Sequence, residues 1–184
     1  RWSTEMERQF SDWITTEVGS DFFVKYNIPT DCADAVVSLR TIFSRIHHLP
    51  VAYDTYSGII SQTSKKYSSQ KTVSVWNDSN WKQALLQDQR FRSFLGDLRE
   101  QMSTHNLNKS TYPIELTSCS SGKTASDFLT PGKVLLDEGH VRMITKMDTA
   151  APYDPMKEMS STVPAKVRNL NERSPTLFTV PEPG

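Results

Sequence analysis

Apolar residues recur at helical spacing in three stretches of the chain. Met6, Phe10, Trp13, Ile14 and Val18 fall three and four apart, which predicts an amphipathic helix over 4–18, with Thr4 as a cap and Gly19 as a stop. From 33 to 47 the apolar set is denser: Val36, Val37, Leu39, Ile42, Phe43 and Ile46, closed by Leu49-Pro50. That density predicts the central buried helix. Trp81, Leu85, Phe91, Phe94, Leu95, Leu98 and Met102 predict one long helix over 80–102.

Between and after these stretches the pattern changes. Residues 53–71 are rich in Ser, Thr, Tyr and Lys and read as an irregular loop, followed by a short strand at 73–76. Residues 103–127 are again polar, with a short strand at 112–116 and a helical turn at 125–129. Segments 133–136, 140–147 and 166–170 read as strands, the first two apolar or β-branched and bounded by Gly and Pro; 176–180 is a further strand. Helices lead and strands follow, which predicts an α+β domain with an antiparallel sheet rather than alternating βαβ units.

Composition narrows the function classes. Lys plus Arg equals Asp plus Glu at 21 each, so no net field draws the chain to nucleic acid. No apolar run approaches the ~20 residues that span a bilayer. The 184 residues suit one domain with an insertion. The chain begins at Arg1 without a signal-peptide pattern, which implies trimming or a removed leader. Two cysteines are too few for a disulfide framework, and the scattered histidines predict neither a metal site nor another cofactor. The run Ser120-Ser121-Gly122-Lys123-Thr124 lacks the leading Gly of a phosphate loop and reads as a plain loop.

Cys32 is the residue with the most chemical promise. It follows Pro29-Thr30-Asp31 and opens the apolar helix, with Asp31 as its N-cap. Free N–H groups in a first helical turn favour the thiolate, the nucleophilic form of cysteine. Cys119, in Thr117-Ser118-Cys119-Ser120, has loop surroundings instead. A nucleophilic thiol needs a base. His47 and His48 end a helix and His105 lies in a polar loop, whereas His140 follows Gly139 and opens a strand. A third polar group commonly orients the imidazole. Ser160 and Ser161 stand where a neighbouring strand would return; Asp148, Asn169 and Asn171 are alternatives. The competing reading of the same residues is a binding module in which Cys32 only packs.

Asp31-Cys32-Ala33-Asp34 before an apolar helix resembles the Asp-Cys-Ser-Gly start of NlpC-type cell-wall peptidases. Pro131-Gly132-Lys133-Val134-Leu135-Leu136, then Gly139-His140-Val141, resembles their Pro-Gly-Asp-Leu-Val-Phe-Phe segment and His-Val-Gly-Ile strand. CHAP-type amidases share a similar Cys-Ala helix start and Gly-His-Val strand. The resemblance implies a papain-like fold, with the nucleophile helix packed on a C-terminal antiparallel sheet and a helical insertion at about 51–127. It implies Cys32 as nucleophile, His140 as base, Ser160 or Ser161 as orienting group, and Tyr26 and Asp31 near the substrate. The implied activity is hydrolysis of amide bonds in peptidoglycan peptide stems, in the periplasm or outside the cell. The 51–127 insertion would set substrate choice or meet a protein partner or inhibitor. A papain-like transglutaminase or deamidase acting on protein glutamine is the alternative enzyme. Ala33-Asp34 in place of Ser-Gly, Lys133 in place of Asp, and the long Cys-to-His separation depart from the family pattern.

Overall fold

In a computed structural model the chain is α+β, with six α-helices and two antiparallel sheets among the described residues, which are 1–109, 111, 129–137, 139–148 and 156–174. The helices are α1 (Thr4–Glu17), α2 (Phe22–Lys25), α3 (Cys32–Ile46), α4 (Trp81–Gln87), α5 (Gln89–Gln101) and α6 (Thr104–Lys109). A hairpin joins β1 (Ala52–Thr55) to β2 (Gly58–Ser61). The larger sheet runs β3 (Val134–Asp137), β4 (His140–Met147), β5 (Met156–Ser160) and β6 (Asn171–Arg173), each antiparallel to the next. No helix is long and apolar enough to cross a membrane among the described residues.

Helix α3 is the core of the molecule, as its apolar density predicts. Nearly every residue on it is buried, with Ile42 and Phe43 fully enclosed. Each such side chain contributes roughly 1.5–3 kcal/mol of transfer free energy. One flank of α3 carries an aromatic cluster of edge-on and tilted rings: Phe43 meets Phe10 at 5.2 Å and Trp13 at 5.9 Å, and Trp13 meets Trp81 at 5.5 Å. Another face packs on β4 through Val141 and Met143, both in the same apolar core. Gly132 turns the chain into β3 with φ +87°, and a Cβ there would lie 2.8 Å from Phe10 Cε1. Both the backbone angle and the close approach to α1 demand glycine.

Several expectations are corrected. The helix over 80–102 is broken at Asp88, whose backbone (φ −76°, ψ 89°) leaves the helical region. Its carboxylate accepts the N–H of Phe91 at 2.9 Å and so starts α5 anew. The 53–71 loop holds the β1–β2 hairpin and a 3₁₀ turn at Lys65–Tyr67, so strands do not all come last. Residues 73–76 form no strand; Trp76 is buried there and donates to Asp88 at 3.0 Å. The strand expected at 166–170 is a single bridge, Lys166 to Thr30, and the paired residues are 171–173. The returning strand expected at Ser160 and Ser161 is β5, whose span the pattern does not delimit, because the adjacent charges Lys157 and Glu158 break the apolar alternation. Glu158 is buried, with Arg142 Nε 3.4 Å from its carboxylate. Ser3, not Thr4, caps α1. The expectations for 112–116, 125–128 and 176–180, for the 120–124 run and for Cys119 lie outside the described residues.

Candidate active site

Asp31 closes the N-terminus of α3 with a reciprocal capping box. Its carboxylate accepts the N–H of Asp34 at 3.0 Å, and Asp34 Oδ2 accepts the N–H of Asp31 at 3.1 Å. Both first-turn carboxylates are therefore engaged with the backbone. Cys32 is the next residue, at the first helical position, and is free and only 6% exposed. Its own N–H has no acceptor within the helix at this position. Its Sγ lies 4.0 Å from Thr104 Oγ1, at the start of α6.

The approach to α3 is pinned to the end of the sheet. Thr30 and Lys166 exchange backbone hydrogen bonds at 3.1 and 3.3 Å. Ser161 donates its hydroxyl to the Thr30 carbonyl at 2.9 Å and accepts from Thr30 Oγ1 at 3.3 Å, fully buried. Ser160, the last residue of β5, borders a cavity of about 10 Å³ that Cys32 also lines, together with Met143, Thr145 and Met159. That space holds no more than about one water molecule.

His140 opens β4, opposite Asp137 across the β3–β4 hairpin. Met143 faces Met159 in the β4–β5 ladder, and the same register continued by two residues sets Ser161 level with Val141. Cys32 thus shares a cavity wall with Ser160 and with Met143 and Thr145 of β4, and His140 is not among the residues that line it. Side-chain direction is a separate matter. Val141 and Met143 turn toward α3, and strand alternation gives His140 the parity of Arg142, on the other face. Among the described residues no hydrogen bond joins His140 to Cys32, Ser160 or Ser161. The Ser161 proton is held by a backbone carbonyl, so Ser161 acts here as an anchor of the α3 entry. Asp148 follows β4, and Asn171 pairs with Ser160.

Tyr26 sits among aromatic rings, 4.9 Å from Phe22 and 5.6 Å from Trp81, and is buried. Burial first, then the charges of Glu17 and Asp21, push its hydroxyl up to about 12. It does not line the cavity beside Cys32. Asp31 serves the capping box described above.

Three participants were missed or undervalued in the sequence. Asp34 is 1% exposed, and its Oδ1 has no hydrogen-bond partner. Burial first, and then the neighbouring Asp31 carboxylate, push its pKa up to about 7 against the pull of the Asp31 N–H and Arg99. The Asp-x-x-Asp spacing was the available signal for this box. Arg99 donates Nη1 to the Pro29 carbonyl, and burial lowers its pKa. Thr104 Oγ1 contacts the thiol sulfur. Nothing in the local sequence marks Arg99 or Thr104, because both reach the site through the packing of the 81–109 helices against α3. Among the described residues no group of three His, Cys, Asp or Glu side chains could hold a metal ion.

Searches against protein-family models, curated proteins and solved structures find no match to this chain.

Proposed function

We propose that the protein is a papain-like cysteine hydrolase that cuts amide bonds in the peptide stems of peptidoglycan. The observation that carries this reading is the packing of α3, opened by Cys32, on β4, the strand opened by His140. The resemblance of the segments around Cys32 and His140 to NlpC-type peptidases supports the substrate class and a periplasmic or extracellular setting.

In this reaction the Cys32 thiolate attacks the amide carbonyl and forms a C–S bond. The C–N bond then breaks, and the leaving amine takes a proton from the His140 imidazolium. Water adds to the thioester while neutral His140 accepts its proton; the C–S bond breaks and the thiolate returns. The unshared N–H of Cys32 is suited to hold the oxyanion. Two movements precede this chemistry: Thr104 must uncover the sulfur, and His140 must swing toward it.

The test is release of new amines from purified peptidoglycan fragments by the wild-type protein and by Cys32→Ala. Cleavage that disappears in the variant supports the reading; cleavage that persists contradicts it. Release of ammonia from protein glutamine, without new peptide amines, would move the assignment to a deamidase or transglutaminase.

A second reading has a specific observation in its favour. Cys32 is almost closed to solvent and makes no hydrogen bond to His140 among the described residues. A binding module in which the thiol only packs has those properties. It predicts a thiol inert to alkylation at every pH at which the protein stays folded.

A further inference from the structure

A second, larger cavity lies at the other end of α3, about 20 Å from Cys32 at ~1.5 Å of rise per residue. It measures about 370 Å³ and is walled by Arg45 in the last turn of α3, Gln62 after β2, Ser74, and Asp88, Arg90, Phe91 and Phe94 at the start of α5.

Its charge is not balanced within the wall. Asp88 is fully buried and already engaged on both oxygens. Oδ1 accepts from Phe91 N; Oδ2 accepts from Trp76 Nε1 at 3.0 Å and Thr72 Oγ1 at 3.1 Å, with Arg45 Nη2 at 3.5 Å. Arg45 Nη2 also donates to the Val73 carbonyl at 3.1 Å. The Arg90 guanidinium makes no hydrogen bond among the described residues, although its backbone N–H is fixed to Lys71 O at 3.0 Å. Arg45 and Arg90 both line the space against the single carboxylate of Asp88, so the lining residues carry one net positive charge.

Two polar atoms of the lining residues are unmatched and closed off in this conformation. Arg45 Nε and Gln62 Oε1 are buried with no hydrogen-bond partner. The orientation of Gln62 is set by its Nε2, which donates to Leu49 O at 3.4 Å, so the free atom is an acceptor. A small rotation of either side chain toward an occupant relieves the cost of an unpaired buried group. On the floor, Phe91 and Phe94 are buried rings. The cavity thus offers a planar cation for an oxygen anion, an acceptor for an N–H, and an apolar surface between them.

We infer that this cavity binds the free C-terminal residue of a peptide: a carboxylate on Arg90 and Arg45, the adjoining amide N–H on Gln62, and an apolar side chain on Phe91 and Phe94. The site is independent of the thiol and of the reaction proposed for it.

The test is titration by NMR with N-acetylphenylalanine, its neutral amide N-acetylphenylalaninamide, and inorganic phosphate, on the full chain and on Cys32→Ala. The expected result is saturable binding of the carboxylate at millimolar concentration or tighter, with shifts at Phe91 and Phe94. The amide should bind at least tenfold more weakly. Arg90→Gln, which breaks no hydrogen bond in the fold, should cost the carboxylate at least tenfold, while Cys32→Ala should change nothing. Absence of binding, equal affinity for the amide, or unchanged affinity in Arg90→Gln would overturn the site. Phosphate that displaces N-acetylphenylalanine at equal concentration would overturn the peptide assignment, because an anion alone would then suffice. The amide arm decides the matter even if Arg90→Gln folds poorly.

Discussion

At the N-terminal end of α3 the Cys32 sulfur lies under Thr104 beside a cavity of about 10 Å³; at the C-terminal end Arg45 lines one of about 370 Å³. The first end is polar in its backbone and tightly closed. The second is open, and polar through its side chains. Capping explains much of the difference. Asp31 and Asp34 engage each other's N–H groups from within and leave the Cys32 N–H unshared. At the far end, Asp88 holds Trp76, Thr72 and the start of α5 together, and the guanidiniums around it are left with donors to spare. The proposed chemistry thus falls at the closed end and the proposed recognition at the open one.

Substitutions at the two ends separate these roles. The largest effect is expected from Cys32→Ala. Hydrolysis of peptide-stem fragments should fall by about a thousandfold or more, while stability to urea changes by about 1 kcal/mol or less. A large loss of stability would mean that the thiol matters mainly as core. Next is Asp88→Ala, which strips the N-cap of α5 and leaves Arg45 beside an unmatched cavity wall. Equilibrium unfolding should show a loss of roughly 3–5 kcal/mol. A loss under about 1 kcal/mol would break the account of why that end stays open.

Asp34→Asn should act through pH. The folded carboxyl titrates near 7, above its ordinary 3.8, because of burial. Protonated Asp34 therefore favours the fold, a contribution fully present below about pH 4 and lost as pH rises through about 7. Wild-type stability should decline across that window, by roughly 2–4 kcal/mol for this group alone, and the Asn variant should lack this part of the slope. Urea midpoints at pH 4, 6 and 8 check it; parallel profiles for the two proteins would refute it. The smallest effect is expected from Thr104→Ala, which thins the cover over Cys32. Alkylation by iodoacetamide should quicken about two- to fivefold with no change in the fold.

Legibility in the sequence followed how local the cause was. Helices α1 and α3 were readable because burial gives them a 3.6-residue period, and the Asp31 cap and Cys32 position came with the same pattern. The Asp88 break had one local sign, a six-position gap in the apolar set from Leu85 to Phe91; the tertiary demand of Trp76, Thr72 and Arg45 on that carboxylate decides the kink. The span of β5 was hidden because Glu158 is buried against Arg142, which spoils alternation. Ser160 and Ser161 were correctly expected on a returning segment, but the engagement of Ser161 with Thr30 could not be read from spacing. The wall of the larger cavity comes from α3, the 62–74 segment and α5, and no single stretch of sequence announces it.

The most direct test of the central claim is the rate of Cys32 alkylation by iodoacetamide from pH 4 to 9, in the wild-type protein and in His140→Ala. The account predicts a readily alkylated thiol in the wild-type protein and a marked fall in that rate in the variant. A thiol that stays inert throughout, or reacts identically without His140, would contradict the Cys–His hydrolase and leave Cys32 as a packed residue of a binding module.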